Sequence, residues 1–207
     1  MSVEIRKVAT KHELKTFIRF NYELYKDNPY SVPDLYEDML STFSKEKNPA
    51  FEFCEADYFL AYKEGKLVGR VAAIINRRAN ETWGKQAVRF GWIDFIDDEE
   101  VSRALIEAVK AWGLERGMEE MEGPLGFTDM DAEGMLVEGF DRLSTIATIY
   151  NYPYYPEHME RLGLEKENDW IEQFLTVPDE VPEKHQHIAE LVKNRYNLHI
   201  HKLRSKR

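Results

Sequence analysis

The stretch FGWIDFIDDEEVSRALIEAVKAWGLERGMEEMEGP, from Phe90 to Pro124, lays out a strand, a tight acidic connection, a long helix and a second strand. In the helix, expected from about Glu99 to Arg116, Val101, Leu105, Val109 and Trp112 recur at helical spacing and Ile106 widens the stripe. Gly117 suits a helix stop, because glycine takes the left-handed conformation without steric cost. The connection is Asp97-Asp98-Glu99-Glu100. Carboxylates there can cap the helix and complement its dipole, and they repel any anion brought to the same place.

Upstream, YFLAYKEGKLVGRVAAIINRRAN reads as two strands joined by the turn Lys63-Glu64-Gly65-Lys66. ETWGKQAVRFGWIDFID adds a turn and another strand, so three antiparallel strands are expected between Tyr58 and Ile96. Before them stand a strand in VEIRKVAT, a helix over Lys11–Asp27 with Leu14, Phe17, Ile18, Tyr22 and Tyr25 on one face, and a short helix over Tyr36–Ser44. Downstream, Thr128–Pro153 is rich in turn residues and reads as a long loop, a type that is often functional. A short helix ending in Gly163, a strand over 165–178, a helix over 179–197 and a strand in LHIHKLRSKR close the chain. The fold class is α/β, with a mixed, mostly antiparallel sheet flanked by helices.

The chain has 207 residues and a formal net charge of −10. That acidity disfavours nucleic acid, whose binding rests on Lys and Arg neutralising phosphates. Cys54 is the only cysteine, which fits a reducing compartment and excludes an internal disulfide. MSVEIRKVAT has no apolar signal core, and the longest apolar run, Val71–Ile75, is too short to span a bilayer. A soluble cytoplasmic protein without membrane contact is the expectation.

The order of elements resembles the GNAT acyltransferases (GCN5-related N-acetyltransferase-like). YFLAYKEGKLVGRVAAI is similar to that superfamily's central hairpin, with Gly69 in the expected place, and HMERLGLE to its late helix-to-strand junction, F-Y-x-x-x-G-F. The resemblance runs roughly from Val3 to Val177; EGPLGFTDMDAEGMLVEGFD and YNYPYYPEHMERLGL resemble a bacterial branch with a long insertion before the last helix. It implies a domain over 1–177, acetyl-CoA as co-substrate, no metal, and direct acetyl transfer to a small amine. It implies that the arm of CoA lies along the splayed strand at Phe95 and Ile96, with its pyrophosphate at Val101, Ser102 and Arg103. It also implies a base at Asp94 and an acid at Tyr154 or Tyr155, although the position four before Gly163 is Met159. The family's phosphate loop is Q/R-x-x-G-x-G/A; here Asp97 falls on Q/R, Glu100 on the first glycine, and only Ser102 is compatible.

Two readings stay open: an N-acetyltransferase, or a GNAT-derived ligand-binding or interaction domain that has lost CoA. A third, a peptide-linking acyltransferase that uses charged tRNA, has less behind it. Asp129, Asp131 and Glu133 are further base candidates, and Arg77, Arg78 and Arg103 are the cations closest to hand. DMDAEG lacks the later bidentate Glu of a Ca²⁺ loop, and His185, His187, His199 and His201 read as solvated. Residues 178–207 form a helix and strand in which LHIHKLRSK echoes VEIRKVATK, as the start of a second unit would. Such a strand has an open edge, which could pair with another copy in a homodimer.

Overall fold

The computed structural model describes residues 2–145 and 148–202. The elements are β1 (Glu4–Lys7), α1 (Lys11–Tyr25), α2 (Tyr36–Thr42), β2 (Cys54–Lys63), β3 (Lys66–Asn76), α3 (Arg77–Trp83), β4 (Ala87–Phe95), α4 (Glu99–Leu114), β5 (Glu120–Glu122), α5 (Tyr154–Arg161) and α6 (Glu183–Tyr196). The sheet order is β1-β2-β3-β4-β5. The first four strands pair antiparallel, and β5 runs parallel to β4. The chain divides at Glu165/Lys166 into two compact units.

The first unit is a sheet covered on both faces, which is why β2 and β3 read as near-continuous apolar runs. Strand alternation sends Phe59, Ala61, Val71, Ala73 and Ile75 to one face and Tyr58, Leu60, Ala72 and Ile74 to the other. On the first face lie Val101, Leu105, Ile106, Val109 and Trp112 of α4, with Tyr155 and Met159 of α5. On the second lie Phe17 and Ile18 of α1, then Phe43 and Phe127. The expected apolar stripe of α4 is buried throughout. Each such side chain contributes about 1.5–3 kcal/mol relative to exposure.

The sheet opens between β4 and β5. Ala87–Arg89 pair with Glu120–Glu122, and Leu125 N–H reaches Phe90 O at 2.9 Å. Gly91 permits that approach, since a Cβ there would sit 2.4 Å from the Leu125 oxygen. Beyond this point β4 bends away: Trp92 takes a φ of 44°, and the β3–β4 register shifts between Arg70 and Ala72. Residues Ile93–Phe95 therefore present an edge with no partner strand among the described residues.

Three expectations fail. RRANETW is a helix where the end of a strand (RRAN) and a turn (ETWGKQ) are expected: Asn76 caps it through Ala79 N–H and Gly84, at φ 63°, ends it. Residues 165–178 form no strand, and their Trp170, Ile171, Phe174 and Leu175 are exposed; 198–202 form none either, and 203–207 lie outside the described residues. Within the second unit, α6 shows Ile188, Leu191, Val192 and Tyr196 on its surface and ends at Asn197, φ 50°.

Candidate functional site

The site sits where β4 leaves β5. At its centre is Asp94, 5% exposed. Arg70, opposite it on β3, donates from Nε and Nη2 to Asp94 Oδ2, both at 2.7 Å. Arg70 Nη1 donates to Phe17 O at 3.0 Å, which ties the pair to α1. Asn21 Nδ2 donates to Asp94 Oδ2 at 3.1 Å; on the other oxygen, Tyr25 and Tyr155 hydroxyls lie at 3.2 and 3.3 Å. The two hydroxyls are 2.9 Å apart. Burial, then the Asp94 charge, raises both phenol pKa values well above the ordinary one, so both groups keep their protons. An aspartate that holds a guanidinium and three further donors is firmly positioned.

The backbone at the edge is occupied too. Ile96 N–H bonds Val68 O across the β3 side, so alternation turns the N–H and C=O of Phe95 outward to the open edge. Phe95 N–H donates to the Tyr155 hydroxyl at 3.0 Å, and the Tyr154 hydroxyl donates to Phe95 O at 2.6 Å. One turn on, His158 joins α5 to α4: Nδ1 lies 2.8 Å from Ser102 Oγ, and Nε2 lies 3.0 Å from Asp97 Oδ1.

The acidic connection is used by the protein itself. Asp98 is the N-cap of α4 and accepts from Glu100 N–H at 3.0 Å. Lys63, at the end of the hairpin, lies 2.5 Å from Asp98 and 2.8 Å from Glu100. Glu99 pairs with Arg103 one turn on, and Asp97 meets His158. The hydrogen bond from Lys63 lowers the pKa of both Asp98 and Glu100, while theirs push Lys63 up to about 12. All four carboxylates thus have partners within the chain.

Beside Asp94 lies a cavity of about 330 Å³ lined by Asn21, Tyr22, Tyr25, Asn28, Asp34 and Tyr36, among others. Asp34 is exposed as a residue, yet crowding of its carboxyl raises its pKa, opposed by the Arg70 charge. The Tyr36 hydroxyl is buried without a hydrogen-bond partner among the described residues. The insertion touches two of the lining residues: the Tyr150 hydroxyl accepts from Asn28 at 3.1 Å, and Tyr152 stacks on Tyr25 with centroids 4.9 Å apart.

The structure thus brings Asp94, Tyr154, Tyr155 and Phe95 together. Ile96 faces β3, Val101 and Ser102 are buried with their amides on Asp98 O, and Arg103 is spent on Glu99. Asp131 and Glu133 lie instead in the field of Arg89, and Asp131 accepts from Thr128 N–H. Among the described residues no group of three or more His, Cys, Asp or Glu could hold a metal. Sequence reasoning misses Arg70, Asn21, Asp34 and His158. The one legible sign was an arginine inside the apolar run VGRVAAII, which needs a buried partner.

Four antiparallel strands, a parallel fifth that splays from the fourth, and a helix crossing between them match the arrangement that the sequence resemblance implied, except for its last strand. The topology agrees with the GNAT resemblance read from the sequence. Solved structures it resembles include an aminoglycoside acetyltransferase from an uncultured soil metagenomic sample in complex with trehalose, 14% identical, TM-score 0.48, over 85% of this chain and 97% of that one. Another is the aminoglycoside N-acetyltransferase AAC(6')-Iy in complex with CoA, 16% identical, TM-score 0.47, over 84% and 95%. Among curated proteins the chain is 35% identical to protein YghO of Escherichia coli strain K12 over 167 residues, 81% of this chain and 43% of that protein. It is 29% identical to the bacterial ceramide synthase of Caulobacter vibrioides over 177 residues, 85% and 46%. The chain thus spans less than half the length of these relatives. No family model matches it. No helix among the described residues is long and apolar enough to cross a membrane.

Proposed function

We infer that the first unit carries out N-acyl transfer from an acyl-CoA to an amine. The observation behind this is the cavity beside the Asp94–Tyr25–Tyr155 network, lined from α1, the start of α2 and the segment between them. An ammonium group is attracted by Asp34 at the cavity wall and by the Asp94 charge behind Tyr25, against the repulsion of Lys26, which also lines the cavity. Asp34 takes one proton from the ammonium, and the freed nitrogen attacks the thioester carbon. The C–S bond breaks, and a second proton passes from that nitrogen to the departing sulfur by way of Tyr25 and Tyr155. Asp94 and Arg70 hold the two tyrosines in place. The name of the Caulobacter relative supports an amine that carries a hydrocarbon chain, and exposed Val32 and Leu35 flank the cavity residues Pro33 and Asp34.

The second reading, a binding domain without CoA chemistry, is favoured by the self-paired Asp97–Glu100 connection. The test incubates the protein with acetyl-CoA or a long-chain acyl-CoA and a panel of amines, and reads amide products by mass spectrometry. Product that falls at least tenfold in Asp34→Asn supports transfer. No product with any pair, together with no calorimetric binding of acetyl-CoA even after Asp98→Gly, Glu99→Ala and Glu100→Ala, favours the second reading.

A further inference from the structure

We propose that α5 is a built-in plug for the open edge of β4, with Tyr154 and Tyr155 in the places an amide-bearing ligand would take. Phe95 offers one N–H and one C=O to the open side, which is what an extended chain needs to add as a strand. Both are taken: a hydroxyl oxygen accepts from the N–H, and a second hydroxyl donates to the carbonyl. Together the two phenols reproduce the donor and acceptor of a single secondary amide. They come from neighbouring positions of one helix, and their rings pack on Phe95 with centroids 4.2 Å away for Tyr155 and 5.7 Å for Tyr154.

His158 is the latch. It lies one turn beyond Tyr154 and is 2% exposed, between Ser102 and Asp97 at the start of α4. While that bridge holds, the first turn of α5 cannot leave Phe95. Its ring is also 5.2 Å from that of Phe95, so plug and latch rest on the same residue. An extended secondary amide, such as the arm of an acyl thioester, must displace both hydroxyls. Displacement frees the Tyr155 hydroxyl from Phe95 N–H while Asp94 still holds it. This rests on the acyl-transfer reading for the identity of the ligand, but the plug can be tested without it.

The probes are pantetheine, which carries the amides without phosphate, and acetyl-CoA. Each is titrated by calorimetry into wild type, Tyr154→Phe, Tyr155→Phe and the double variant, with folding checked by circular dichroism. Removing one hydroxyl should tighten pantetheine binding by about two- to tenfold, since one hydrogen bond no longer competes. Exchange of the Phe95 amide proton should speed up in Tyr155→Phe. His158→Gln should tighten pantetheine as well by loosening the latch. Unchanged or weaker pantetheine binding across all variants, or Phe95 exchange unaltered in Tyr155→Phe, overturns the plug. If pantetheine gains affinity while acetyl-CoA binds nothing, the plug stands and the CoA reading falls. If wild type makes product but the hydroxyls prove neutral for binding, the transfer reading stands and the plug falls.

Discussion

Two ion pairs whose aspartates lie four residues apart along the chain behave as opposites. Asp94 and Arg70 are buried, with side chains 7% and 3% exposed, and their remaining polar atoms are shared with Asn21, Tyr25, Tyr155 and Phe17. Asp98 and Lys63 sit at the surface, 23% and 24% exposed, with Glu100 as a third member. The buried pair takes two charges out of water and depends on every hydrogen bond it makes. The surface group keeps its water, is screened by salt and mainly starts a helix. Charge of the same sign and type therefore builds a site in one place and only caps a helix in the next.

The largest expected effect comes from breaking the buried pair on one side. Arg70→Met leaves Asp94 without its cation and should cost about 3–5 kcal/mol of unfolding free energy, read by urea denaturation. The double variant Arg70→Met, Asp94→Leu should recover most of that loss; if it does not, the pair holds more than itself. Next comes the bend that delivers Asp94. Gly91→Ala drives a methyl into the Leu125 carbonyl oxygen, which is backbone and cannot swing aside. It should cost about 1–3 kcal/mol by the same measurement. Tyr155→Phe removes a buried hydroxyl bonded to Phe95 and Asp94 and should cost about 1–2 kcal/mol.

The smallest effect belongs to the surface pair. Lys63→Met should lower the thermal midpoint by less than any of these, and the difference should fade in about 1 M salt. Its pH dependence has a definite sign. Asp98 and Glu100 titrate below their ordinary values of 3.8 and 4.5, so their contribution is complete above those values and is lost as pH falls through the lowered ones. Lys63 is raised from 10.5 to about 12, so its share holds below 10.5 and is lost as pH rises through about 12. The stability gap between wild type and Lys63→Met should be flat near neutrality and shrink in acid. A gap that persists at about pH 2 would mean the lysine acts through its methylenes rather than its charge.

What the sequence discloses follows from how local the cause is. The hairpin turn and the stripe of α4 are set by residues within one or two turns of each other and are where spacing predicts, and the cap falls on Asp98, one of two adjacent carboxylates that could supply it. Asp94, Tyr154 and Tyr155 can be nominated from the strand and the late helix, but their meeting depends on a bend centred on Trp92. Nothing in the spacing announces that Arg70 will face Asp94, or that His158 will find Ser102 56 residues away. Those contacts are consequences of register, and register is fixed by the whole sheet. The strand expected over 165–178 shows the converse: its apolar residues Trp170, Ile171, Phe174 and Leu175 are there, but no strand in the described residues pairs with them.

The aromatic rings around the site have an optical consequence. Tyr25 stacks on Tyr152, Tyr152 on Tyr154 at 5.6 Å, and Tyr155 on Phe95, so α1, the insertion, α5 and β4 share one ladder of chromophores. Rings held this close in a fixed chiral array couple their transitions and give a strong near-ultraviolet dichroic band. Any step that lifts α5 or slides the insertion breaks the ladder at a rung. The molecule thereby carries an intrinsic reporter of whether its edge is covered, readable without a label.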